Sequence, residues 1–116
     1  MPEPPVDMPT LQNLVATTDA AFVQELIEAF LEDGREQIAA MRQSLASGDV
    51  QAFQRAAHSL KSSSASLGAL GFSSQAKELE QLAKQGSLEE APEGLERVAA
   101  AFPAIEQSLR EFGHGA

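Results

Sequence analysis

The residues with the most chemistry to offer lie in the run Ala56-Ala57-His58-Ser59-Leu60-Lys61-Ser62-Ser63-Ser64-Ala65-Ser66-Leu67-Gly68-Ala69. Phe53, Ala57, Leu60, Ser64 and Leu67 recur at spacings of three and four, which predicts a helix. At about 100° per residue these five fall within an arc of roughly 80°. His58 lies about 100° or more from the centre of that arc, so its imidazole points away from the core. Gln54, Arg55, Lys61, Ser62 and Ala65 share its side of the helix. An imidazole, with a pKa of about 6.5, is mostly neutral near pH 7 and can attack through one ring nitrogen while the other holds the proton. Lys61, one turn on, brings a mobile positive charge within reach of an anionic group acquired by the ring. Apart from Lys61, this face carries only small side chains C-terminal to His58, so nothing bulky on the helix blocks a visiting molecule. The lysine spacing and the small residues together set His58 apart from an ordinary surface histidine.

The elements that must position this helix are themselves helical. Asp19 is an N-cap for a helix to about Ser47, with Phe22, Val23, Leu26, Ile27, Phe30, Leu31, Ile38, Met41 and Leu45 apolar at sustained spacings of three and four. Gly34 interrupts it at a cost of about 1 kcal/mol relative to alanine, which packing can offset. Gly48 is a C′ stop and Asp49 the next N-cap, so the motif helix, about Val50 to Ser66, returns antiparallel beside it. Gly68 ends that helix. A further one spans about Ala69 to Gln85, with Leu70, Phe72, Ala76, Leu79, Leu82 and Ala83 inward and Gly86 as its stop. Ser87 to Glu90 forms a capping-box pattern. The last helix carries Leu95, Val98, Phe102, Ile105, Leu109 and Phe112. Pro92 suits its start, Pro103 should kink or briefly break it, and Gly113 should end it. The expected fold is all-α, an antiparallel up-down four-helix bundle over residues 10–113. It begins with a short extra N-terminal helix, capped by Thr10 and running through Leu11, Leu14 and Val15 to about Thr17. Residues 1–9, with four prolines, read as an extended leader, and 114–116, with His114, as a disordered tail.

The totals bound the function. The chain has 116 residues, enough for one core. Its net charge is −9, from 8 basic and 17 acidic residues, which argues against nucleic acid or an anionic membrane surface as partner. Glu32, Asp33 and Glu36 read as a solvated acidic face. There are no cysteines, hence no disulfide framework or thiol catalysis, which is compatible with a cytoplasmic location. No apolar run approaches the ~20 residues of a membrane span. No metal-ligand pattern and no Gly-rich phosphate loop are present.

The run AHSLKSSSASLGA resembles the signature of histidine-containing phosphotransfer (HPt) domains, in which a histidine is followed by a lysine three residues on, then small residues, then Leu-Gly. The FVQELIEAFLED run, the SGD turn and the KELEQLAKQG helix are also similar to this family. The resemblance implies a four-helix bundle that passes a phosphoryl group between response-regulator aspartates, with His58 as phospho-acceptor and Lys61 as the cation on the phosphate side. It places Glu80 where the family often has a ring-orienting glutamine, and Lys84 at a position often basic. Leu11, Leu14, Val15 and Phe22 match an apolar docking patch, with Ser62 and Ala65 on the open face beside the histidine. The family usually has glycine where Ser62 stands. Partners implied are response-regulator receiver domains and a hybrid sensor kinase. The chain itself is expected to be monomeric, without kinase activity and without a cofactor, magnesium coming with the receiver. Two other readings stand beside this one: an adaptor that binds response regulators without carrying phosphate, and a plain scaffold bundle.

Overall fold

Asp19 and Asp49 each start a helix, as their short acceptor side chains dictate. Asp19 accepts from the Phe22 backbone N–H at 2.8 Å and Asp49 from that of Ala52 at 3.0 Å. The computed structural model describes residues 6–17, 19–86 and 88–115. Within them run α1 (Met8–Thr17), α2 (Ala20–Ser47), α3 (Val50–Ser66), α4 (Leu70–Lys84), a 3₁₀ turn (Leu88–Glu90) and α5 (Ala91–Gly115). No strand occurs among the described residues. The fold is the expected all-α bundle. α2 through α5 form the bundle, α3 packs most extensively on α4, and α1 lies against α2. Gly48 takes φ +74° and donates its N–H to the Ser44 carbonyl, closing α2. The left-handed backbone it needs is open to glycine at no steric penalty.

The core is continuous through all five helices. Phe53, Ala57, Leu60, Ser64 and Leu67, the stripe expected from spacing, are all buried. Ser64 is tolerated there because its hydroxyl donates to the Leu60 carbonyl one turn back. At the centre sits Phe102 of α5, tilted against Phe30 of α2 and Phe72 of α4 with ring centroids 6.2 and 5.9 Å apart. Its ring lies over Gly34, where an added Cβ would come within 2.6 Å of a ring carbon. That close approach is the packing gain that offsets glycine's poor helix propensity.

Four local expectations are corrected. The N-terminal segment is structured earlier than Thr10. Val6 is fully buried, and Asp7 rather than Thr10 caps α1 by accepting from the Thr10 N–H at 3.3 Å and hydroxyl at 2.6 Å. Pro9 fits the first turn, where no N–H is required. The Asp7 N–H donates to the Gly68 carbonyl at 2.7 Å, which ties this segment to the end of the motif helix. Gly68 has φ +82°, and a Cβ there would lie 2.9 Å from the Asp7 carbonyl oxygen. The Leu-Gly pair is therefore needed both as a helix stop and as the seat of the N-terminal segment. Leu70, expected inward, is 53% exposed, because it lies about 120° round α4 from the buried stripe of Phe72, Ser73, Ala76, Leu79, Glu80 and Ala83. Of the kink or brief break expected at Pro103, the break does not occur: α5 is continuous through it. Its ring is on the exposed face, where water can satisfy the carbonyl it leaves unpaired. α5 also runs through Gly113 and His114 to Gly115, since a glycine stops a helix only where the backbone turns away from helical angles. Residues 1–5 of the leader, Ser87 of the capping box and Ala116 of the tail lie outside the described residues.

Candidate functional site

His58 sits at the middle of α3, and 59% of its side chain is exposed. The stripe on the opposite side of α3 is wholly in the core, so the helix cannot roll and the ring must face outward. Across from it, α4 presents Glu80. This carboxylate is buried, with 4% of the side chain exposed, because it shares a stripe with Ser73 and Ala76 that faces α3. One oxygen, Oε2, lies 2.7 Å from His58 Nδ1. The other, Oε1, accepts from Lys61 Nζ at 2.7 Å. Lys84, one turn further along α4, brings its ammonium to 3.9 Å of Oε2. Ser73 adds a second tie, donating its hydroxyl to the Lys61 backbone carbonyl at 2.8 Å. The backbone of Lys61 is thus anchored by Ser73, while its ammonium rests on Glu80.

The electrostatics of Glu80 follow from those partners. Burial alone pushes its carboxyl up, since charge is disfavoured away from water. Hydrogen bonds from Lys61 and His58, and the charges of Lys61 and Lys84, outweigh that effect and hold the group below its ordinary value. Glu80 is therefore an anion at neutral pH and can only accept. A 2.7 Å contact to Nδ1 then requires that Nδ1 carry the ring proton. Nε2, on the opposite edge, is left with its lone pair. The sign of the linked stability effect is fixed. A carboxyl with a depressed folded-state value stabilises the fold above its unfolded pKa, about 4.5, and loses that contribution as pH falls through the lower folded value. In denaturant titrations, wild type should exceed Glu80→Gln by at least about 1 kcal/mol at pH 7, and the gap should close as pH falls from about 4.5 through the lower folded-state value. A gap independent of pH across that window would show that the carboxylate's charge is not what stabilises the cluster.

The structure brings together four of the residues singled out from sequence, His58, Lys61, Glu80 and Lys84, from two helices. Ser62 and Ala65 are exposed on the same helix, and beyond Lys61 that face carries only small side chains. The apolar group divides. Phe22 is 46% exposed, and Leu14 and Val15 are half-buried. Leu11 is fully buried; it faces down from α1 into the core, so it supports that helix and offers no surface to a partner. Ser73 was not anticipated. A small polar residue two turns before Glu80 on the same face was the available signal. Among the described residues no three His, Cys, Asp or Glu side chains are grouped so as to hold a metal ion, and no helix is long and apolar enough to cross a membrane.

Comparison with known proteins gives two matches. The family model for the Hpt domain matches residues 25–111. In structure, the chain is similar to histidine-containing phosphotransfer protein B (HptB) from Pseudomonas aeruginosa PAO1. The TM-score is 0.92 and the identity 27%, over 99% of this chain and 99% of that one. No curated protein matches the sequence.

Proposed function

The chain belongs to the Hpt domain family, the histidine phosphotransfer domains of two-component signalling, and from that premise we propose that it is a phosphorelay intermediate carrying the phosphoryl group on Nε2 of His58. The observation that carries this reading is the Nδ1 contact to Glu80, a buried acceptor that leaves the other nitrogen free on an exposed edge. A receiver domain brings its aspartyl phosphate in line with Nε2, with the magnesium ion bound on the receiver. The Nε2 lone pair forms the new N–P bond as the acyl P–O bond breaks, and the electron pair departs with the aspartate. The reverse of this step delivers the phosphoryl group to a second response regulator. Because phosphoryl transfer passes through a loose state, the domain's task is positioning and charge neutralisation. Ser62 adds only a hydroxymethyl group to the face the receiver must approach. Leu14, Val15 and Phe22 are the residues offered for receiver docking.

Lys61 supplies the charge that accompanies the phosphoryl group. Its side chain is 28% exposed, so the ammonium can pivot from Glu80 towards the ring edge. Lys61→Ala should slow transfer about tenfold without abolishing it, the loss of one charge-assisted contact of about 1.4 kcal/mol. Stopped-flow or radiolabel transfer from a phosphorylated receiver measures this, and an unchanged rate would remove Lys61 from the mechanism. The reading as a whole is tested by incubating the chain with phosphorylated receiver domains. Acid-labile label appearing on His58 is the expected result, and no uptake from any receiver in a representative panel would overturn it.

A further inference from the structure

Resting on the carrier reading above, we infer that Glu80 does more than orient the ring: it keeps the Nδ1 proton on His58 after phosphorylation, so that the phosphoryl group always departs from an imidazolium. The inference starts from bond bookkeeping at Nε2. Attack by the neutral ring makes the N–P bond without moving the Nδ1 proton, and the ring becomes a cation. Onward transfer breaks the N–P bond, returns the electron pair to Nε2 and restores the neutral ring, again with that proton in place. If the proton is lost in between, departure must expel an imidazolate anion, a far poorer leaving group. The lifetime of the phosphorylated state is therefore set by what sits at Nδ1.

At Nδ1 sits a full negative charge at 2.7 Å, on a side chain held by a second helix and shielded from water. A carboxylate held at hydrogen-bond distance from Nδ1 favours the ring that keeps its proton there. Among the described residues, the groups that pair with Glu80 are the ring, Lys61 and Lys84. Lys61 occupies Oε1, not the oxygen that faces the ring, and Lys84 stands off at 3.9 Å. Arg55 on α3 and Lys77 on α4, each one turn away along its own helix, are exposed and form no ion pair with Glu80. The cations moderate the carboxylate's hold but none displaces it from Nδ1. A glutamine here could still accept from Nδ1 and orient the ring, yet would lack the charge. Orientation and proton retention are thus separable by one isosteric substitution.

The test uses no receiver domain. The full chain is phosphorylated with phosphoramidate, a small donor, and loss of phosphohistidine is followed by ³¹P NMR from pH 5 to 9 in wild type and Glu80→Gln. His58→Gln, treated in parallel, reports any signal from His114. The expected result is equal rates at the acid end and a decline that sets in about one pH unit or more lower in the variant. At pH 8 the variant would then release phosphate about tenfold more slowly. Superimposable profiles would overturn the inference. Circular dichroism checks that the variant is folded. If it is not, ¹⁵N shifts of phosphorylated wild type are compared with free Nε2-phosphohistidine: the protein ring must keep its proton to a pH about one unit higher, and equal midpoints overturn the proposal. Failure here leaves transfer from a receiver untouched, whereas failure of receiver transfer leaves the pH profile measurable.

Discussion

Replacing His58 by glutamine is expected to abolish phosphoryl uptake from a phosphorylated receiver, reducing it at least about 10³-fold to the assay background, while the melting temperature stays within a few degrees of wild type. Both halves follow from the geometry. The amide nitrogen of glutamine has no available lone pair, so no group remains at this position to form the N–P bond. The side chain is 59% exposed and contributes nothing to the core. A glutamine amide can also donate to Glu80 Oε2 in place of Nδ1, so the buried carboxylate keeps a partner. Exposed substitutions of this kind shift stability by roughly 0.5 kcal/mol. Radiolabel transfer alongside thermal denaturation measures the pair of outcomes. Persistent acid-labile label in the variant would place the phosphoryl group elsewhere, and a collapsed melting curve would mean that loss of uptake says nothing about the nucleophile.

The second large effect concerns the frame that holds the site. Phe102→Ala should destabilise the bundle by about 3–5 kcal/mol, in the range of buried aromatic truncations. Phe102 is buried and touches Phe30, Phe72 and the backbone at Gly34, so its loss empties the junction of α2, α4 and α5. A fall in melting temperature of roughly 10–20 °C corresponds to that range. A companion substitution makes the argument specific. Gly34→Ala alone should destabilise, although alanine is the better helix former by about 1 kcal/mol, because the methyl would stand 2.6 Å from the Phe102 ring. In the Phe102→Ala background the ring is gone and the same methyl should be neutral or stabilising. The two substitutions are therefore expected to couple by about 1–3 kcal/mol. Strict additivity in a double-mutant cycle would show that ring and glycine do not compete for the same space.

Local signals were read correctly where a residue's neighbours in sequence are also its partners in space. Asp19, Gly48 and Asp49 bound their helices because caps and stops are satisfied within one turn. The buried stripe of α3 followed from a 3.6-residue period alone. Errors arose where a tertiary contact decides. Thr10 is a good capping residue by type, but Asp7 takes that role, in a segment whose N–H is tied to Gly68 sixty-one residues on. Leu11, Leu14 and Val15 present apolar groups on more than one side of a short helix, and no periodicity says which side the bundle covers. Glu80 could be singled out only through family resemblance. Its link to Lys61 crosses a turn, and a shift of one residue in that turn would have pointed the carboxylate away. That it binds both the ring and the ammonium, one per oxygen, is a fact of packing that pattern alone does not supply.

The shared carboxylate has a consequence for anyone wishing to transplant this chemistry. His58 and Lys61 come from one helix, while the group that fixes both comes from the next. Grafting the α3 segment alone onto another bundle would bring the histidine and lysine but leave the ring free to take either tautomer. The portable unit is the α3–α4 hairpin with its turn intact, and Ser73 must travel with it to keep the two helices of the graft in step.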